Sequence, residues 1–143
     1  MQAPPQFIRC DLANLVISLP QAILFSSGDD RIVDSAIPTV GQIVAAIRTI
    51  PNHLILIGHA DSSPIHNRRF RDNWELSAAR GVRLLELLTG RYGIEESRVS
   101  VLSEGANHPR QPNDTPGGRA SNRRVEIVIL ENFSETAPFA SAR

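Results

Sequence analysis

The sequence has little cysteine, no net charge and no long hydrophobic run, and each shortage excludes a class of protein. Its single cysteine, Cys10, cannot form an internal disulfide or a zinc site built from cysteines. We expect it to be a thiol without a role, in a loop or at a strand edge. The formal net charge of +0 gives no overall basic field that would attract nucleic acid. No apolar run approaches the roughly 18–20 residues that span a bilayer.

The N-terminal residues also lack the apolar core of a signal peptide. Two interpretations follow: a soluble cytoplasmic protein, or a piece of a longer exported or membrane-anchored protein. The 143 residues, 41% hydrophobic and 21% charged, suffice for one globular domain with its own core. We predict a linker or N-terminal extension over 1–14, the domain over 15–131, and a flexible tail over 132–143.

Hydrophobic periodicity predicts a strand, a helix and a second strand in the first half of the domain. Leu15–Leu19 is typical of a strand, with 22–25 as a short extension after Pro20. The apolar run His53–Ala60 predicts a central strand that is buried on both faces. Between them an amphipathic helix is predicted to begin near Ser35–Ile37. Its apolar positions recur every three or four residues: Val33, Ile37, Val40, Val44 and Ile47.

The second half begins with the most clearly marked helix. Asp72, followed three residues later by Glu75, forms a capping-box-like start, and Gly93 marks the end. Two further strands are predicted at 98–102 and 123–130, with a long polar loop over 106–122 between them. The helix is predicted to turn one apolar stripe toward the core: Trp74, Ala78, Val82, Leu85 and Leu88.

The predicted order of elements is therefore β-α-β-α-β-β. This order is typical of an α/β sandwich, in which a mixed four-stranded sheet carries two main helices on one face. In open α/β sheets, ligands gather at the carboxyl ends of the strands. We therefore expect a site where the second strand ends and the second helix begins.

The residues at that junction suggest a ligand with charges of both signs. Asp61 follows the second strand, and the second helix carries a polar stripe of Asn73, Ser77 and Arg80. An arginine fork binds a carboxylate through two parallel hydrogen bonds, and a carboxylate binds an ammonium. The alternative is a plain Asp61–Arg80 salt bridge that closes the junction, and on spacing alone we favour that alternative.

Two adjacent arginines begin the last strand. Successive side chains of a strand point to opposite faces, so only one of Arg123 and Arg124 can face a given site. On the pattern alone, both arginines are more simply interpreted as solvated charges at a sheet edge.

Four ordered motifs resemble those of the OmpA-like peptidoglycan-binding domain, and the resemblance covers about 15–130. They are ILFSSG at 23–28, LIGHADSSPI at 56–65, NWELSAARGVRLLELL at 73–88 and GRASNRRVEI at 118–127. Within that family the SSPI and DNWELSAAR segments are most similar to the periplasmic domain of the MotB flagellar stator proteins. The resemblance implies non-covalent binding of peptidoglycan, which anchors a membrane protein to the cell wall.

The resemblance also implies roles for individual residues. Asp61 matches the aspartate that binds the ammonium of diaminopimelate in the stem peptide, and Arg80 matches the arginine that binds its carboxylate. Asn73 matches the asparagine at the helix start, and Arg124 or Arg123 matches the strand arginines. For MotB-like members, contact with the glycan sugars is the alternative, so peptide and glycan contacts both stay open.

For the whole protein, the resemblance to MotB implies a homodimer paired with a MotA-like channel subunit. This chain would then be a soluble periplasmic fragment of a protein anchored in the inner membrane. The alternative is a wall anchor of an outer-membrane or envelope protein that has no part in motility.

Two positions depart from the family pattern. Ala60 replaces a threonine, which removes a hydroxyl worth about 1 kcal/mol if it bound the ligand or a buried backbone group. Gly81 replaces an alanine, which is expected to weaken the helix by up to about 1 kcal/mol.

Two other functions are alternatives to wall binding. His59, Asp61 and His66 match no familiar metal-binding spacing, and no nucleophile elbow or phosphate-binding loop is present, so we predict no enzyme, metal or cofactor. The basic insertion 66–74 could be a docking surface for a protein. Its alternative is a solvated loop in which Phe70 packs against the helix start.

Overall fold

The computed structural model describes residues 8–11 and 14–131. The predicted tail 132–143 and most of the predicted linker 1–14 lie outside the described residues, as does the thiol of Cys10. No helix in the described part of the chain is both long and apolar enough to cross a membrane.

The chain forms a mixed five-stranded sheet in the order β1-β2-β5-β3-β4. Strands β3 and β4 are parallel, and β5 runs antiparallel to both β2 and β3. All four predicted strands are present, and β1 adds a fifth beside β2, within the segment assigned to the linker. The strands are β1 (Ile8–Asp11), β2 (Asn14–Pro20), β3 (Leu54–His59), β4 (Val99–Gly105) and β5 (Arg124–Ile129).

Two main helices cover one face of the sheet, as predicted: α2 (Ile37–Ile47) and α3 (Asn73–Glu86). Alternate residues of β2, β3 and β5 pack against them, because successive strand residues face opposite sides. The resulting core is continuous and contains large side chains that are almost completely buried, among them Leu19, Ile43, Leu56, Leu84 and Ile127. The predicted α/β sandwich is confirmed.

Two short helices were not predicted. Residues 22–25 were expected to extend the first strand, but β2 ends at Pro20 and α1 (Gln21–Leu24) follows directly. The polar loop 106–122 ends in α4 (Pro116–Asn122). The Thr115 hydroxyl accepts a hydrogen bond from the Gly118 amide at 2.9 Å, a helix-start signal that the sequence analysis overlooked.

The start of α3 follows the predicted capping pattern with one change. Asp72 Oδ1 accepts a hydrogen bond from the Glu75 amide at 3.0 Å, as expected of an N-cap residue. The Glu75 carboxylate reaches back one residue further than in a capping box, to the amide of Arg71 at 2.8 Å.

The predicted apolar stripe of the second helix is correct at its C-terminal end and wrong at two positions before it. Trp74 is 49% exposed and Val82 is 42% exposed, so both lie outside the core. The predicted Leu88, just beyond α3, is fully buried, and Leu85 packs against the core. Leu76 and Leu84 are buried as well, although they were not part of the predicted stripe. The sequence did not distinguish these positions, because α3 carries apolar residues on more than one side.

Two glycines let α3 lie close to the sheet. A Cβ at Gly58 would come within 2.2 Å of the Ser77 carbonyl oxygen, and one at Gly81 would come within 2.6 Å of Val101. Gly81 therefore has a packing role where α3 crosses β4, which offsets the cost in helix propensity expected from the sequence.

The topology brings separate parts of the chain to one edge of the sheet. Strands β2, β3 and β4 run in the same direction, so their carboxyl ends meet at that edge. Strand β5 runs the other way and begins there. Residues after β2, residues after β3 and residues just before β5 are therefore neighbours.

Candidate functional site

An open pocket of about 370 Å³ lies at this edge. One wall comes from the segment after β2, the second from the segment after β3, and the base from α3 and the residue before β5. The lining residues are Gln21, Ser27, Gly28, Ala60, Asp61, Ser63, Pro64, Ile65, Asn73, Leu76, Arg80 and Arg123.

Asp61 carries the negative charge of the pocket and is only 5% exposed. Its Oδ2 forms an ion pair with Arg123 Nη1. Its Oδ1 accepts a hydrogen bond from the Ser63 amide at 2.9 Å. A carboxylate offers about four acceptor positions, so Asp61 can still accept from a ligand ammonium on the pocket side.

Arg80 lies deeper than its position on a polar stripe suggested, with 4% exposure. Its Nε donates to the Asp29 carbonyl at 2.9 Å, and Nη2 lies 3.5 Å from the Ser26 carbonyl. The guanidinium stacks over the Phe25 ring, 5.1 Å from its centroid. Among the described residues no carboxylate pairs with it, so the Asp61–Arg80 salt bridge that we favoured on spacing alone is not formed.

Arg80 is a buried cation beside another cation. Burial, and to a lesser extent the nearby charge of Arg123, lower the pKa of Arg80 to about 10, although the carboxylates of Asp29 and Asp30 act in the opposite direction. At neutral pH the guanidinium remains charged. The charged lining residues are thus two arginines and one aspartate, which leaves an excess of positive charge for an anionic group.

Asn73 braces the second wall of the pocket. Its side-chain amide donates to the Asp61 carbonyl at 3.3 Å and to the Ser63 carbonyl at 2.9 Å. Ala60 lines the pocket beside it, and its amide donates to the Gly105 carbonyl at 2.8 Å. Asn73 therefore fixes the segment that carries Asp61 while it faces the cavity.

Ser77 and Arg124, two of the seven site residues predicted from the sequence, do not line the pocket. Ser77 is buried against β3, where its backbone meets Gly58. The other five do line it: Ala60, Asp61, Asn73, Arg80 and Arg123.

Arg124 points to the opposite face of the sheet, as strand alternation requires. Its Nε donates to Glu126 Oε2 at 3.1 Å, and its Nη atoms donate to the carbonyls of Asn122 and His108, each at 3.0 Å. His59 Nε2 lies 3.1 Å from Glu126 Oε1. Burial acts to raise the pKa of Glu126, but the hydrogen bond from His59 and the charge of Arg124 outweigh it and hold that pKa well below its ordinary value.

The sequence analysis missed several lining residues. Gln21 follows β2 directly and lines the pocket, and its backbone amide donates to the Arg123 carbonyl at 2.8 Å. Position alone could have found it, because it follows the carboxyl end of a strand that is parallel to β3. Ser27, Gly28 and 63–65 lie in turns, whose path periodicity does not predict.

The basic insertion is an ordered turn. Asn67 Oδ1 accepts from the amides of Arg69 and Phe70, both at 2.9 Å, in an Asx-type arrangement. Phe70 is 6% exposed, so the aromatic side chain is not available to a docking partner and packs inward. Trp74 remains exposed on α3.

The histidines considered for a metal site have other contacts. His59 binds Glu126, and His66 Nδ1 lies 3.4 Å from the Arg71 carbonyl. Within the described ranges 8–11 and 14–131, no group of three or more His, Cys, Asp or Glu residues could hold a metal ion.

Comparison with known proteins agrees with the fold and with the motifs. Motility protein B of Bacillus subtilis is 34% identical over 117 residues, which are 81% of this chain and 45% of that protein. The structure of the cell wall anchor of the T6SS from Pseudomonas aeruginosa has a TM-score of 0.81 at 29% identity and covers 90% of both chains. The periplasmic domain of Helicobacter pylori MotB has a TM-score of 0.80 at 26% identity, over 94% of this chain and 87% of that one.

The chain spans about half the length of the curated relatives it matches. The match to the OmpA family covers residues 24–123, most of the domain predicted from the sequence. The resemblance inferred from the motifs is confirmed, and the chain belongs to the OmpA family.

Proposed function

We propose that this domain binds peptidoglycan non-covalently and so anchors a membrane protein to the cell wall. The observation that carries the proposal is Arg80, a guanidinium that is 4% exposed and lines an open pocket. It bonds to backbone carbonyls and, among described residues, to no carboxylate. Buried charges in proteins are generally paired, so the missing partner is the anionic group of a ligand.

The charges of the pocket suit the side-chain end of diaminopimelate, which carries one ammonium and one carboxylate. The carboxylate would lie at Arg80, with Arg123 nearby, and the ammonium would lie at Asp61. The stem peptide is thus the part of peptidoglycan that fits the pocket, and glycan contacts would lie outside it. The proposal gives the domain a binding role and no catalytic one.

Co-sedimentation with insoluble sacculi tests the proposal. We expect the wild-type domain to sediment with sacculi and Arg80→Ala to remain in the supernatant. Arg91→Ala is a matched control, because Arg91 is an exposed arginine that contacts Tyr92 and does not line the pocket. Equal sedimentation of the three folded proteins, or none by the wild type, would overturn the proposal.

We further propose that the whole protein is a MotB-like stator subunit. In this proposal the domain lies in the periplasm, the parent is anchored in the inner membrane, and two copies pair with a MotA-like channel subunit. The likeness to Motility protein B supports it. When this domain replaces the matching region of Motility protein B in Bacillus subtilis, the cells should still swim. Arg80→Ala in the introduced domain should abolish swimming.

A second candidate is a wall anchor without a role in motility. The likeness to the T6SS cell wall anchor favours it, because its coverage and TM-score equal those of the MotB structures within a narrow margin. In that case the exchanged domain would bind sacculi normally while the cells fail to swim.

A further inference from the structure

Two turns face each other across the mouth of the pocket. The turn at 26–30 contributes Ser27 and Gly28 to the lining, and the turn that leads into the basic insertion contributes 63–65. The turns are separated by more than thirty positions in the sequence, so side-chain contacts must hold them at a fixed distance.

Arg69 joins the two turns. Its Nη1 donates to Asp29 Oδ1 and to Asp30 Oδ1, both at 2.6 Å, and Nη2 donates to Asp30 Oδ2 at 3.3 Å. The side-chain amide of Asn67 also donates a hydrogen bond to the Gly28 carbonyl at 3.2 Å. The insertion is thus fastened to the 26–30 turn through a fork that contacts two carboxylates at once.

Asp30 is the centre of this contact. It is 4% exposed, and its Oδ2 also accepts from Arg83 Nε at 3.0 Å. Burial acts to raise the pKa of Asp30, but the hydrogen bonds that its carboxylate accepts from Arg69 and Arg83 outweigh burial and lower that pKa. Asp30 therefore stays ionised and ties the turn both to the insertion and to α3.

The same turn orients Arg80. The Asp29 carbonyl accepts from Arg80 Nε at 2.9 Å. Arg80 and Arg83 lie one helical turn apart on α3. Arg80 therefore binds the backbone of Asp29, and Arg83 binds the side chain of the next residue, Asp30. Arg69 and Asp30 themselves line a neighbouring depression and not the pocket.

We propose that Arg69 and Asp30 are positioning residues, which hold the 26–30 turn so that the Asp29 carbonyl orients the Arg80 guanidinium toward the ligand carboxylate. The inference rests on the proposed function, because the orientation matters only if Arg80 binds a ligand. Neither residue touches the ligand, so each acts through Arg80.

A double-mutant cycle on sacculus binding tests whether the effect passes through Arg80. Arg69 is half exposed, so Arg69→Ala should fold, and we expect it to weaken binding about tenfold. In an Arg80→Lys background, which has no Nε–H for the Asp29 carbonyl, the same substitution should change binding by less than about twofold. Equal losses in both backgrounds would overturn the proposal.

A second readout needs no ligand. Hydrogen exchange of the Arg80 Nε–H, followed by its ¹⁵N NMR signal, should be faster in Arg69→Ala and unchanged in Arg71→Ala. Arg71 is the matched control, because it lies in the same insertion but pairs with Glu75 and not with the 26–30 turn. Unchanged exchange in Arg69→Ala would overturn the positioning role, whereas failure of the wild type to bind sacculi would refute only the proposed function.

Discussion

The molecule contains two clusters of opposite charges, one at the edge of the sheet and one on a sheet face, and they differ in how completely their charges are paired. The open cluster lies in the pocket and consists of Asp61, Arg80 and Arg123. The closed cluster lies on the face away from the main helices and consists of His59, Arg124 and Glu126. In the closed cluster the carboxylate has a partner on each oxygen, whereas in the open cluster the most buried cation has no carboxylate among the described residues.

The difference shows that charge type alone does not mark a binding site. Arg123 and Arg124 are adjacent and chemically identical, yet one lines the pocket and the other belongs to a buried network. The closed cluster ties the 108–122 segment to the sheet through carbonyl oxygens. Access from solvent and incomplete pairing are what make the open cluster a candidate for binding.

The largest effect is expected on stability, when a substitution disrupts the closed cluster. Arg124→Met removes one partner of a buried ion pair and leaves Glu126 charged inside the fold. We expect a loss of about 3–5 kcal/mol in the free energy of unfolding, measured by urea denaturation. The folded fraction should bind sacculi as the wild type does. A stable variant with impaired binding would show that the two clusters have been assigned the wrong roles.

Removing the carboxylate of the open cluster comes next. Asp61→Ala deletes the proposed ammonium partner and leaves Arg123 without its ion pair. Truncating one partner of a desolvated charge contact commonly costs about 2–5 kcal/mol, so sacculus affinity should fall roughly 30-fold to several-thousand-fold. Binding equal to that of the wild type in a sedimentation assay would exclude Asp61 from the site.

A smaller loss of affinity is expected when Arg80 is replaced by a residue that keeps the positive charge but lacks the forked guanidinium. Arg80→Lys retains a cation but cannot reach the carboxylate with two parallel hydrogen bonds, so binding should weaken by about tenfold to a hundredfold. The chain contains no other lysine, so the new ammonium gives a single side-chain signal in NMR spectra. A shift of that signal on ligand addition would show whether the ammonium still contacts the ligand.

The last prediction concerns the loss of stability at acidic pH. The pKa of folded Glu126 lies below the ordinary value of 4.5, so its contribution to stability is present above that value and is lost as the pH falls toward the folded pKa. We expect the free energy of unfolding, measured by urea denaturation, to decrease below about pH 4.5, by about 1.4 kcal/mol for each pKa unit of difference. In Glu126→Gln this part of the slope should disappear, and an identical pH profile in both proteins would contradict the assignment.

Periodicity predicted the main elements because buried strands and amphipathic helices leave regular patterns. It placed His53–Ala60 on a central strand, and that strand is β3 (Leu54–His59). It misplaced two positions of the apolar stripe of α3, because the helix has an exposed Trp74 and Val82 beside its buried leucines. A helix with apolar residues on two sides cannot be oriented from spacing alone.

The pocket was located by the rule that ligands gather where strands end, and by the motifs around Asp61 and Arg80. The pairing inside it was not predictable. Arg123 is paired with Asp61, and Arg80 is turned toward the backbone of the 26–30 turn, because tertiary packing brings these segments together. The close approach of α3 to Gly58 at Ser77 is likewise a tertiary contact that no local pattern reveals.

The pocket is proposed to bind a group that carries both an ammonium and a carboxylate, and an NMR titration with soluble stem peptides tests this binding. One peptide carries diaminopimelate, and the other carries lysine, which has the same ammonium but lacks the side-chain carboxylate. We predict that the diaminopimelate peptide shifts the signals of Asp61, Arg80 and Arg123, and that the lysine peptide binds at least about tenfold more weakly. Equal affinity for both peptides, or shifts confined to residues outside the pocket, would refute recognition of the two charges by this pocket.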